Sequence, residues 1–317
     1  MNRTKHAIIC TCIVLLSFFL VQNSYTSAYV DEVKRSALQV SKAEDPLYDE
    51  IAEKAKDYEI PAQDAIVDKI WKATPGYNGR AVDVPASYEN MKKQGEFNEK
   101  KLVYTDISPK VHLQDLPPAP IYRGHPDKKM IALTINVAWG NEYIPTMLEI
   151  LKKHHVSATF FLEGRWVKEN PSLAKMIVDA KQEVGNHSYT HPDMKTLSAG
   201  SIEEQLVKTN EMIEAATNQK VKWFAPPSGS YRDEVVSIAS RLGMGTIMWT
   251  VDTIDWQRPE PSVLIQRVTK KAHNGAIVLM HPTSPTAQSL DTLIQLLKKG
   301  GYKIGTVSEL LSEKRID

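Results

Sequence analysis

IALTINVAWGNEYIPTMLEILKKHHVSATFFL, Ile131 to Leu162, is the stretch on which the reading of the fold turns. Ile131 to Val137 is a near-continuous apolar run, as a strand covered on both faces requires. Tyr143 to His154 then changes to the spacing of an amphipathic helix, and Ala158 to Leu162 returns to an apolar run. A strand, a helix and a second strand in succession predict a βαβ unit with parallel strands.

The same alternation continues outward from this unit. Strand-like runs at Glu183–His187, Gly245–Thr250 and Ala276–Met280 are separated by helical stretches at Pro171–Lys181, Ile202–Ala216, Glu234–Leu242, Val263–Ala272 and Gln288–Lys299. About seven such units suit a small, distorted (β/α)7-type barrel in residues 126–317 better than an open sheet. The fold class expected is therefore α/β.

Upstream, Pro109, Pro117, Pro118 and Pro120 mark a stiff connection, a Pro-rich linker over 111–125. Before it, residues 45–110 read as a small α+β module that carries no catalytic constellation, an interaction or spacer unit. Asp45-Pro46 opens an amphipathic helix bearing Leu47, Ile51, Ala55 and Tyr58. A second helix is predicted from Pro61 through Ile66, Ile70 and Trp71 to Pro75-Gly76, then a strand at Val82–Val84, a helix at Ala86–Lys93 and a strand at Leu102–Thr105. Residues 29–44 are polar and aperiodic, which reads as a linker.

At the start of the chain, Arg3, Lys5 and His6 precede an apolar run from Ala7 to Val21, and the small residues Thr26, Ser27 and Ala28 follow. This pattern predicts a Sec-type signal peptide over 1–28, with an uncleaved membrane anchor as the alternative. In either case the body of the protein is expected to be secreted or at the cell envelope. Both cysteines, Cys10 and Cys12, lie within this leader, so the exported part has no thiol to offer a metal or a disulfide. With 39 basic against 38 acidic residues the net charge is +1, which provides no global field for nucleic acid or an anionic membrane.

In a barrel of this kind the loops after the strands carry the chemistry. After Glu183 comes Gly185-Asn186-His187-Ser188-Tyr189-Thr190-His191-Pro192, whose two histidines four apart either converge on a metal or hydrogen-bond within a loop. Phe224-Ala225-Pro226-Pro227-Ser228-Gly229 is a rigid loop, serving as a structural turn or a substrate wall. Val251-Asp252-Thr253-Ile254-Asp255-Trp256 joins carboxylates to a large aromatic face that either stacks on a sugar or packs in the core. Ile277 to His281 ends an apolar strand with a histidine, placed to transfer a proton or to cap the strand.

Taken in order and at these intervals, the four motifs resemble the polysaccharide deacetylase domain (NodB homology, carbohydrate esterase family 4), over roughly Lys129 to Leu311. The resemblance implies removal of acetyl groups from N-acetylglucosamine or N-acetylmuramic acid in chitin-like polymers or peptidoglycan. It also implies a divalent metal, usually zinc, held by one aspartate and two histidines, a second aspartate as general base, and a histidine as general acid. His187 and His191 match the metal-binding histidines, His281 the acid, Asp255 the carboxylate that orients it, and Trp256 the neighbouring wall. A Trp-Gly after the first motif, Trp139-Gly140 here, resembles a sporulation-associated subgroup.

Three positions depart from the family pattern. Where the first motif has two adjacent aspartates this chain has Asn136, the base position, and Val137, the ligand position. The arginine before Pro-Pro, which in the family pairs with the base, is Ala225. Asparagine accepts no proton near neutral pH, valine binds no metal, and an arginine without its carboxylate is an uncompensated charge, so the three changes are mutually consistent. Two functions remain open on the sequence. One is an altered deacetylase that recruits Asp193 or Glu163 to the metal or as base. The other is a catalytically silent relative that binds N-acetylated glycan in a groove lined by Trp139, Trp256 and Tyr231.

Overall fold

The computed structural model describes residues 45–316 together with Tyr29, Glu32 and Val33. The predicted leader, and the predicted linker apart from those three residues, lie outside the described residues. From residue 45 the elements are α1 (Pro46–Lys54), β1 (Ile66–Asp68), β2 (Lys72–Thr74), β3 (Gly79–Val82), α2 (Val84–Met91) and β4 (Tyr104–Ile107). The described chain divides into two compact units, 45–61 with 80–107 and 62–79 with 108–316. This division differs from the contiguous module expected over 45–110.

In the smaller unit each helix starts where an aspartate caps it. The Asp45 carboxylate accepts from the Leu47 backbone N–H, and Asp83 accepts from that of Ala86. The Tyr88 hydroxyl donates to the other Asp45 oxygen at 2.6 Å, joining the two helices over a core of Leu47, Tyr48, Ile51, Tyr88 and Met91.

The helix predicted between Pro61 and Gly76 does not form. Its place is taken by an antiparallel hairpin of β1 and β2, with Ile66 opposite Thr74 and Asp68 opposite Lys72. Asp68 closes the turn, its Oδ1 accepting from the N–H groups of Ile70 and Trp71. The Pro-rich stretch expected as a linker lies on the larger unit: the Ile121 N–H donates to the Thr246 carbonyl, and Ala73 donates to Pro120.

The larger unit continues with β5 (Met130–Val137), α3 (Ile144–Lys153), β6 (Thr159–Leu162), α4 (Gly164–Glu169), α5 (Pro171–Asp179) and β7 (Glu183–Asn186). Then come α6 (Ala199–Thr217), β8 (Trp223–Phe224), α7 (Asp233–Arg241), β9 (Gly245–Thr246) and β10 (Val251–Asp252). The chain finishes with α8 (Pro261–Lys271), β11 (Ile277–Met280), α9 (Ser284–Lys299), β12 (Lys303–Gly305) and α10 (Val307–Leu311). Seven strands pair in parallel in the order β10-β11-β5-β6-β7-β8-β9, and β12 adds to the start of β5. The result is the expected distorted barrel, a curled parallel sheet.

β5 lies inside the sheet, between β11 and β6, and is buried along its whole length. Its alternate residues Ile131, Leu133, Ile135 and Val137 pack with Ile144, Met147, Leu151, Phe160 and Leu162 on the helix side. Met130 and Ala132 pack with Phe161, Ile277 and Val307 on the other side. This two-sided burial explains the unbroken apolar run in the sequence. It also sends consecutive residues to opposite faces, which decides what Asn136 and Val137 can do.

Candidate active site

The C-terminal ends of β5, β7, β10 and β11 surround a cavity of about 420 Å³. Asn136, Trp139, His187, His191, Trp256 and His281 all line it. The structure thus brings together six of the eight residues singled out from the sequence. Asp255 lies behind His281, and Tyr231 lines a neighbouring depression.

The histidine pair is set by a turn tied at both ends. The Asn186 carboxamide oxygen accepts from the Ser188 N–H at 2.8 Å, while its nitrogen donates to the Leu206 carbonyl and to Asn210. Ser188 and His191 adopt left-handed backbone conformations, φ 63° and 56°, which bend the loop back on itself. The two imidazoles meet edge to face with centroids 4.9 Å apart. His187 donates from Nδ1 to the Ala225 carbonyl at 2.8 Å, which leaves Nε2 as its free nitrogen. Burial, reinforced by His191, pushes the His187 pKa down to about 3, and burial lowers that of His191 as well.

On the opposite wall Asp255 is fully buried. One oxygen accepts from His281 Nδ1 at 2.8 Å; the other accepts from the His281 backbone N–H and the Thr286 hydroxyl, each at 2.6 Å. Ile254 and Arg258, both left-handed at φ 53° and 54°, bracket this turn; Asp255 faces inward and Trp256 remains 55% exposed. Trp139, 47% exposed, stacks on His281 with centroids 5.9 Å apart and planes 9° from parallel. The residue after Trp139 must be glycine: Gly140 has φ 82°, and a Cβ there would collide with the Pro282 carbonyl.

Asn136 and Val137 part company at the end of β5. Asn136 is 4% exposed and lines the cavity, and its Oδ1 has no hydrogen-bond partner. Val137 is fully buried and packs in the helix-side core. Ala225 is also buried, within the inner cluster. Neither carboxylate considered as a substitute replaces the lost ligand. Glu163 accepts from the Trp166 N–H at 3.0 Å and faces the Arg165 guanidinium at 3.3 Å, with burial raising its pKa. Asp193 accepts from the Ser230 hydroxyl and lines the outer depression.

A catalytic zinc site ordinarily offers three protein ligands with an open position. Among the described residues, no three histidine, cysteine or acidic side chains come together as such a group. The donor set stops at His187 and His191, so the residues present do not fit the metal that the resemblance implies.

The cavity opens into two arms. One is a cleft of about 450 Å³ between Trp139 and Trp256, with Glu142 and Arg258 on its walls. The other, about 430 Å³, runs past His191 and Ser228 to Tyr231, whose hydroxyl bonds that of Tyr122 at 2.8 Å. Sequence reading missed Trp249, Leu279, Arg258 and Glu142; the signal that could have found them is their position within or just after a strand end.

The family model for polysaccharide deacetylase matches residues 123–247. YlxY of Bacillus subtilis (strain 168), an uncharacterized protein, is 55% identical over 301 residues, 95% of this chain and 94% of that one. The peptidoglycan-N-acetylmuramic acid deacetylase PdaA of the same organism is 36% identical over 200 residues, 62% of this chain and 76% of its own length. Among solved structures, BA3943 of Bacillus anthracis, a CE4 family pseudoenzyme, is 72% identical over 86% of this chain and 96% of its own, with a TM-score of 0.81. A mutant of BA3943 described as having restored enzymatic activity superposes with the same TM-score at 70% identity, over 85% of this chain and 99% of its own. With the barrel, the histidine pair and the Asp255–His281 dyad in place, these similarities establish that the chain belongs to the polysaccharide deacetylase family, carbohydrate esterase family 4.

Proposed function

We propose that this protein binds N-acetylated glycan at the cell envelope and does not deacetylate it. The observation that carries this reading is the end of β5: the base position is an amide, and the ligand position is a valine, which has no donor atom and packs in the core. Loss of a positioned general base alone lowers a rate by roughly 10²–10⁴. The similarity to BA3943, itself a pseudoenzyme, supports the same conclusion.

The groove remains suited to sugar. Trp139 and Trp256 hold large aromatic faces in the open on either side of one cleft, the arrangement that stacks on the apolar faces of pyranose rings. Peptidoglycan is the glycan we assign, because PdaA is named for N-acetylmuramic acid in that polymer and the leader predicts export. Zinc is not required for this function, and His281 with Asp255 acts as a hydrogen-bonding wall.

Incubating the purified full chain with N-acetylated peptidoglycan tests this directly. The expected result is cosedimentation with the polymer, no release of acetate, and less than stoichiometric zinc in protein prepared without chelator. Acetate release above a Trp139→Ala, His281→Ala control would overturn the reading.

A further inference from the structure

We infer that the protein holds a second binding site, for a fatty carboxylate, in a cavity at the end of the barrel opposite the histidine pair. It stands apart from the glycan groove and does not depend on it.

The cavity measures about 560 Å³, against about 420 Å³ for the one around His187, and falls within the size range of small-molecule sites. It lies at the starts of β8 and β9, whereas the histidines lie past the strand ends. Ile121 pairs beside β9, its N–H donating to the Thr246 carbonyl and its carbonyl accepting from the Met248 N–H. This holds the segment before it over the edge of the sheet without filling the space beneath. Leu113, Leu116, Pro117, Ile121, Trp223 and Met244 give the cavity a largely apolar lining.

Two polar groups interrupt that lining on neighbouring strands. Thr246 is 1% exposed, and its hydroxyl has no hydrogen-bond partner. Its side chain shares a face of the sheet with its register partner Phe224, the face packed against Val235 and Ile238 of α7. From that side Val236 and Ser240 of α7 line the cavity. A buried hydroxyl left unpaired beside a cavity calls for a polar atom from a ligand. Lys222 stands just before β8, where its carbonyl accepts from the Gly245 N–H, one residue from Thr246. Among the described residues it is the one charged side chain lining the cavity, and its ammonium makes no ion pair. Glu183, which shares a smaller depression with Lys222, is already engaged by the Thr159 hydroxyl and the Ser308 N–H.

An ammonium and a hydroxyl above an apolar hollow complement a carboxylate carried on a hydrocarbon. A cationic amphiphile finds no carboxylate there: among the described residues none lines the cavity. The hairpin of β1 and β2 points to a lipid source for the hydrocarbon. Ala73 of β2 lines the cavity, and Ile66, Val67 and Ile70 of the same hairpin are exposed beside Lys69. Aliphatic side chains open to solvent next to a lysine suit contact with an anionic lipid surface, into which fatty carboxylates partition.

Titration calorimetry of the full chain with decanoate and with decyltrimethylammonium, each below its micelle concentration, tests this. Saturable binding of decanoate is expected, at least ~5-fold tighter than that of the cationic chain. Ser240→Trp fills the cavity from an exposed position on α7 and is expected to weaken decanoate binding at least ~10-fold, its folding checked by thermal unfolding. Lys222→Gln and the isosteric Thr246→Val are each expected to weaken it roughly threefold, and they keep the test open should Ser240→Trp not fold. No saturable binding of decanoate by the wild type overturns the inference. Equal affinity for the two chains overturns the anionic class of ligand. Decanoate binding that is unchanged in folded Ser240→Trp, or in both Lys222→Gln and Thr246→Val, overturns the assignment to this cavity.

Discussion

Val137→Asp restores the missing ligand type at a position whose present side chain is fully buried against the helices. Without metal the substitution removes about 1.5–3 kcal/mol of valine burial and leaves a carboxylate without a partner in the core. The combined cost is ~3–5 kcal/mol, a fall of roughly 6–20 °C in melting temperature for a barrel of this size. With zinc present the carboxylate gains by turning into the cavity, where it completes a three-ligand set with His187 and His191. Zinc at a hundred times its dissociation constant then returns about 2.7 kcal/mol, or between about half and nine-tenths of the loss. The assay is thermal unfolding of wild type and variant, each with zinc and with chelator. The expected result is a zinc-dependent recovery of several degrees confined to the variant. If zinc leaves the variant unchanged, or raises the wild type equally, the two histidines are not poised to accept a third ligand and the account of the site is wrong.

Three further outcomes follow from the same geometry. Combining Asn136→Asp, Val137→Asp and Ala225→Arg is expected to yield zinc-dependent acetate release from N-acetylated glycan, ~10²–10⁴ above wild type; a folded triple variant that binds zinc and stays inert contradicts the roles assigned to His281 and Asp255. Asp255→Asn should lower stability by ~3–5 kcal/mol in urea unfolding, because the buried carboxylate accepts three hydrogen bonds and an amide nitrogen in its place meets donors; a loss below ~1 kcal/mol would show that the bonds are weak. The His187 pKa, about 3 in the folded chain against 6.5 for the free side chain, lies below its unfolded value. Its contribution is therefore whole above pH 6.5 and lost by up to about 1.4 kcal/mol per pH unit below it, since the unfolded chain takes up the proton first. His191 and His125, both lowered by burial, act in the same direction. Glu163, raised by burial, acts in the opposite one. Urea midpoints should fall between pH 7 and pH 5, and a rise would refute the burial of neutral histidines.

Much of the barrel was legible because its strands and helices differ in hydrophobic period. Ile131–Val137, Tyr143–His154 and Ala158–Leu162 correspond to β5, α3 and β6. The hairpin of β1 and β2 was not legible, since Ile66, Ile70 and Trp71 imitate a helical face. Ile66 and Ile70 are in fact 53% and 73% exposed, and the turn is made by Asp68. β8 and β10, two residues each, are too short to show any period, and of the run expected over Gly245–Thr250 only Gly245–Thr246 forms a strand. At the site, residue types and strand ends exposed the histidine pair, the Asp255–His281 dyad and the three altered positions. Aligning a motif gives residue identity but not direction. The register of β5 is what shows Asn136 facing the cavity and Val137 facing the core. Tyr231, expected in one groove with Trp139 and Trp256, lies instead in the outer arm, beside Tyr122.

The central claim is that the chain has kept the groove of a deacetylase without the reaction. Its most direct test is one titration of the full chain with chitotetraose in the presence of zinc, with the sugar recovered and its mass determined. Saturable binding and a fully acetylated sugar are the expected result. A deacetylated product, or no saturable binding, contradicts the account.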